Sequence, residues 1–99
     1  MAYVIFEVKS EDAGKINNVI KDDTVSRQSI LTRDSSSLNI DGNFLYLKIE
    51  GSDIGIKKAE ELAKEQGFSK LSEKKAEEVN KKIAEQEDSA ASGMGMIFD

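Results

Sequence analysis

The chain has 99 residues and a mass of 10.9 kDa, which suffices for one small domain. It contains no His and no Cys, so disulfides, zinc fingers, thiol nucleophiles and every catalytic site that uses histidine are excluded. The net charge of −5 at pH 7 disfavours direct nucleic-acid binding. No apolar run is long enough to cross a membrane. We therefore expect a cytoplasmic, non-catalytic domain without metal or cofactor.

The first predicted strand covers residues 2–9, where β-branched and aromatic side chains alternate. Val4, Phe6 and Val8 form a uniformly apolar face, which we assign to the core. Tyr3 and Ile5 belong to the opposite face of the same strand.

A helix is predicted over residues 11–22, with Ser10 as its N-cap and apolar residues at helical spacing. Residues 25–33 alternate only roughly, which indicates an edge strand or a strand interrupted by a bulge. The Asp-Gly-Asn sequence at residues 41–43 is the clearest turn signal in the chain, and it predicts a hairpin across residues 37–50.

A second helix is predicted over residues 53–66, with Ser52 or Asp53 as its cap. Gly67 is expected to end this helix, because glycine adopts the left-handed conformation that follows many helices.

The segment after the second helix combines an apolar return with a highly charged helix. Phe68 and Leu71 are expected to fold back onto the core. The third helix, over residues 73–87, is rich in Lys and Glu and has only a thin apolar stripe, formed by Ala76, Val79 and Ile83. Such a helix either lies on the surface or needs a partner.

Together these elements predict an α+β fold in one domain over residues 1–88. We expect a two-layer sandwich with a three-stranded, mostly antiparallel sheet in the order β-α-β-β-α, followed by the charged helix. Two helices should cover one face of the sheet. The predicted core consists of Val4, Phe6, Val8, Ile16, Val19, Ile20, Leu45, Leu47, Ile49, Ile56, Leu62 and Phe68.

The opposite face of the sheet is predicted to expose four large side chains, Tyr3, Ile5, Phe44 and Tyr46, which we call the aromatic face. An exposed apolar face beside an edge strand is typical of a surface for self-association or for a protein partner. A homodimer, a protein partner or both are expected to use it.

Residues 89–99 are predicted to be a flexible linker that ends in an apolar tail. The tail has three possible fates: it packs back onto the domain, it is disordered, or it docks onto a partner. The sequence leaves all three open. The candidate partner-binding residues of the tail are Met94, Met96, Ile97 and Phe98.

Arg27 and Arg33 are the only arginines, and with Ser29 they form a weak candidate site for an anion or a nucleic acid. The same pattern is also typical of a solvent-facing polar strand. A second function follows from the first interpretation: a small RNA- or DNA-binding domain in which these arginines accompany Tyr3 and Tyr46 on the sheet.

One stretch, residues 39–59, resembles the small Pcc-type subunit of the archaeal and eukaryotic KEOPS complex. The similar features are a hairpin with an acidic-Gly-Asn turn at residues 41–43, an alternating strand at 44–50 and an amphipathic helix at 54–66. The similarity extends over about residues 2–66, and the charged third helix and the apolar tail lie outside it.

This resemblance implies a non-catalytic subunit that dimerises and binds the enzyme forming threonylcarbamoyladenosine in tRNA. It implies no catalytic residue. We therefore expect an accessory subunit that acts through protein–protein contact, with RNA or DNA binding by the sheet as the alternative.

Overall fold

A four-stranded antiparallel sheet organises the chain, with the strand order β2-β3-β1-β4. The computed structural model describes the backbone of residues 2–98 and the side chains of residues 2–86. The strands are β1 (Ala2–Lys9), β2 (Ser29–Asp34), β3 (Phe44–Gly51) and β4 (Ser69–Lys70). The prediction of a three-stranded sheet is wrong, because β4 adds a fourth strand. This strand has only two residues, so it is too short to show the alternation by which a strand is predicted from sequence.

The two central strands, β1 and β3, are paired over their whole lengths. Their register places three apolar pairs on one face: Val4–Ile49, Phe6–Leu47 and Val8–Leu45. Cross-strand apolar pairs of this kind stabilise a sheet and fix its register, since a slip by one residue would turn every one of them toward the other face.

Three helical segments cover this face. A 3₁₀ helix (Ser10–Ile16) continues directly into α1 (Asn17–Ile20), and α2 (Asp23–Ser26) and α3 (Asp53–Glu65) follow. All twelve predicted core residues are confirmed, because each of them is buried in, or packs against, the cluster between these helices and the sheet. Val25, which lies in the strand predicted over residues 25–33, instead joins this cluster from α2.

Local capping explains where several elements begin. Asp22 Oδ2 accepts the backbone N–H groups of Thr24 and Val25, so α2 replaces the start of the strand predicted over 25–33. Of the two predicted caps of α3, Ser52 or Asp53, the structure has Ser52, since its Oγ accepts the Gly55 N–H at 3.2 Å. The prediction of Ser10 as an N-cap is wrong, because Ser10 lies inside the 3₁₀ helix and its Oγ donates to Asn43 instead.

The connection between β2 and β3 is longer than the predicted hairpin, in which residues 38–40 resumed the strand. Here residues 35–43 form a loop that is built around the buried Ser35. Its Oγ donates to the Gly42 carbonyl at 2.8 Å and accepts the Phe44 N–H at 3.2 Å. Its own carbonyl accepts the N–H groups of Leu38 and Ile40. These bonds satisfy the local backbone and replace a strand ladder.

The second face of the sheet is covered by α4 (Glu73–Phe98). Helices therefore lie on both faces, and the prediction of two layers is replaced by an α+β domain with the sheet between helices. The predicted linker and tail over residues 89–99 lie outside the residues whose side chains the structure describes, so their fate stays a prediction.

Candidate interaction surface

The aromatic face is not exposed, contrary to our prediction. Ile5 is 0% and Tyr46 is 1% exposed, and Tyr3 and Phe44 are partly buried at its ends. The thin apolar stripe of α4 lies on this face and forms a second core with it, to which Leu38 and Leu71 also belong. The apolar stripe of the charged helix is therefore buried against the aromatic face of the same chain, and neither surface requires a separate partner to cover it.

Polar contacts from α4 reach three strands in turn. Lys75 Nζ lies 3.5 Å from Glu7 Oε2 on β1, and Lys48 Nζ on β3 donates to Asn80 Oδ1 at 2.6 Å. On β2, Arg33 Nε donates to Gln86 Oε1 at 2.9 Å. The helix therefore crosses the sheet from β1 to β2, and these three contacts fix its register on the strands.

Glu7 and Tyr46 form a partly buried polar pair at the β1 end of this interface. Tyr46 Oη donates to Glu7 Oε2 at 3.1 Å. Desolvation by burial, together with the negative charge and the hydrogen bond of Glu7, raises the pKa of Tyr46 to about 12. The phenol is therefore neutral at pH 7 and can act as the donor to this carboxylate.

The residues proposed for anion or nucleic-acid binding do not form one site. Arg27 lies after α2 and pairs with the exposed Asp23 at 3.2 Å, as a helix-surface ion pair. Arg33 lies under α4 and also donates to the Thr32 carbonyl. With Tyr46 buried, the sheet platform that an RNA-binding domain would need is occupied by α4. Ser29 begins β2 and is exposed.

The four tail residues, Met94, Met96, Ile97 and Phe98, lie outside the residues whose side chains are described. Their proposed role in partner binding stays a prediction.

The edge of β1 offers a surface that the sequence did not reveal. Within the described part of the chain, β4 pairs with β1 only at Phe6 and Glu7, and the Leu71 N–H donates to the Ile5 carbonyl at 3.0 Å. Backbone groups of residues two apart in a strand point to the same edge. The N–H and C=O of Tyr3 therefore point to the side of β1 where the ladder with β4 has ended.

A cavity of about 490 Å³ lies beside this open edge, and we call it the β1 groove. It is lined by residues 2–5 of β1, by the buried Leu71 and Ala76, which we call its floor, and by the exposed Glu73 and Glu77 at the start of α4, which we call its rim. Lys70 also lines the groove, but its Nζ is paired with Glu60 at 3.1 Å.

Tyr3 reports the electrostatic character of the β1 groove. Desolvation raises the pKa of its phenol, and the negative charges of Glu77, Glu73 and Glu50 raise this pKa further. Lys48 Nζ lies 5.3 Å from the centre of the Tyr3 ring and is held there by Asn80. The groove is therefore apolar at its floor and acidic at its rim.

The other edge of the sheet, β2, is partly closed by its own side chains. The Thr32 carbonyl accepts a bond from Arg33 Nη1 at 2.9 Å, and the Asp34 carbonyl accepts Ser37 Oγ at 2.9 Å. Backbone and side-chain hydrogen bonds from Ser37 to Asp34 also lower the pKa of that carboxyl. Capped carbonyls make an edge less able to pair with another strand.

Comparisons with known proteins found no matching family model, no similar curated protein and no similar solved structure. Among the described residues, no helix is long and apolar enough to cross a membrane, and no cluster of three or more acidic side chains could hold a metal ion.

Proposed function

We propose that this chain is a non-catalytic interaction subunit that binds another protein along the open edge of its sheet. The observation that carries the proposal is the β1 groove: within the part of the chain that the structure describes, the N–H and C=O of Tyr3 lie beyond the β4 ladder and beside a partly apolar cavity. Pairing an extended segment with such an edge is a recurrent mode of protein recognition.

The finer part of the proposal follows from the resemblance to the Pcc-type subunit. On this reading, the chain is an accessory and dimerisation subunit of an assembly that forms threonylcarbamoyladenosine in tRNA. Residues 2–66, the region of the resemblance, supply β1 to β3, α1, α2 and α3. Self-association rests on the resemblance alone, because the β2 edge is partly capped and the aromatic face is covered.

The test is reconstitution with a defined enzyme. The purified chain is mixed with the catalytic subunit of a tRNA threonylcarbamoyl-transferring complex from the same organism, and association is followed by light scattering and by tRNA modification. A stoichiometric complex with increased modification supports the proposal. If the chain forms no complex with that enzyme, the finer assignment is refuted. If the chain alone binds tRNA with an affinity that falls steeply as salt is added, the nucleic-acid alternative is supported.

A further inference from the structure

The occupant of the β1 groove can be described by its chemistry, and this step rests on the proposed function. We propose that the β1 groove receives an extended segment of a different protein, in which basic and apolar side chains alternate, as an added strand beside Tyr3. The segment continues the sheet edge at the point where β4 ends.

The backbone is the first part of this recognition. An added strand forms its hydrogen bonds with the residues of β1 whose N–H and C=O point outward, and Tyr3 has this orientation by its spacing from Ile5. In the part of the chain that the structure describes, the β4 ladder does not extend to Tyr3. The site is thus preformed and needs no rearrangement of β1.

The side chains are the second part. In a strand, alternate residues point to opposite faces, so one set of the added strand lies on the side of Ala2 and Val4, where apolar groups fit, and the other set lies on the side of α4. Long basic side chains in this second set reach the rim, where Glu73 and Glu77 are both exposed. Lys70 does not cancel these charges, because it is already paired with Glu60.

Charge also excludes a second copy of this chain as the occupant. A second copy placed edge to edge would bring its own Glu73 and Glu77 toward those of the first, and like charges in an interface oppose association. The chain as a whole carries a net charge of −5, which adds to this repulsion. A basic segment of another protein meets attraction at the same place.

The experiment uses the full chain and a fluorescent peptide of alternating Lys and Val, with binding measured by anisotropy. A peptide in which Glu replaces Lys should bind at least about tenfold more weakly. The double variant Glu73→Gln/Glu77→Gln should weaken binding of the Lys peptide by about five- to tenfold, because two exposed charge pairs are lost. The matched control, Glu61→Gln/Glu65→Gln on the exposed side of α3, should bind as the unmodified chain does.

Two further measurements separate strand addition from general attraction to an acidic protein. Two versions of the peptide are compared, one N-methylated at its odd positions and the other at its even positions. One version should lose binding and the other should keep it, since only one set of N–H groups faces β1. Hydrogen exchange of the Tyr3 amide should slow on binding. The proposal would be overturned if both N-methylated peptides bound equally well or equally poorly, or if hydrogen exchange of the Tyr3 amide did not slow on binding.

The outcome is distinguishable from failure of the proposed function. If the Glu73→Gln/Glu77→Gln variant forms the reconstituted complex as well as the unmodified chain, and the peptide does not bind, the chain is still an interaction subunit. The inference about the β1 groove is then wrong.

Discussion

The docking of α4 onto the aromatic face can be tested with one substitution at two positions. Ile83 on α4 is 2% exposed, whereas Ile54 at the start of α3 is 77% exposed. Ile83→Ala removes three carbon atoms from the second core, which costs about 2.4 kcal/mol in transfer free energy at about 0.8 kcal/mol each. The cavity that remains increases the loss in free energy of unfolding to about 3 kcal/mol.

The assay is thermal unfolding followed by circular dichroism. For a domain of this size, a loss of about 1 kcal/mol lowers the melting temperature by about 4–8 °C, so Ile83→Ala should lower it by roughly 12–24 °C. The control Ile54→Ala should change the free energy of unfolding by less than about 0.5 kcal/mol, since its side chain is mostly in water already. Equal shifts for the two variants would refute the packing of α4 described above.

Two other predictions concern local contacts. Gly55→Ala should destabilise the chain, because a Cβ there would overlap the side chain of Gln28. That side chain accepts the Ser52 N–H and donates to the Thr24 C=O. The overlap outweighs the helix preference of alanine over glycine, which is about 1 kcal/mol. In a Gln28→Ala background the same change should stabilise it, and a failure of this sign reversal in urea unfolding would contradict the overlap. Stability should also fall as pH rises from 10.0 toward about 12, because the Tyr46 phenol of the unfolded chain loses its proton first. Tyr46→Phe should reduce that fall, and an unchanged pH profile of urea midpoints would count against the buried phenol.

The alternation of apolar residues was sufficient to predict the first core. Val4, Phe6 and Val8 repeat with the period of a strand, and Ile56 and Ala59 with that of a helix, so each face could be identified locally. The long connection between β2 and β3 was not predictable in this way. It depends on the hydroxyl of Ser35, which resembles any other serine in the sequence until its partners are known.

Exposure was the least predictable property, because it depends on contacts between residues that are distant in sequence. Ile5 and Ile83 are separated by most of the chain, yet both are buried in the same core. The sequence showed an apolar sheet face without a cover and a helix with a thin apolar stripe, but neither pattern indicates that the two pack against each other. Long-range docking of this kind is a tertiary effect that local periodicity does not encode.

The covering of one surface and the opening of another have a common structural cause. Ser72 Oγ accepts the Lys75 N–H at 3.3 Å and starts α4 immediately after β4. By turning there, the chain gains a helix that covers Ile5 and Tyr46, but it leaves the sheet before β4 can reach Tyr3. A longer β4 would close the edge of β1 and delay the helix that buries the aromatic face. The position of this cap therefore leaves a partner to bind at the edge of β1 and not on the face of the sheet.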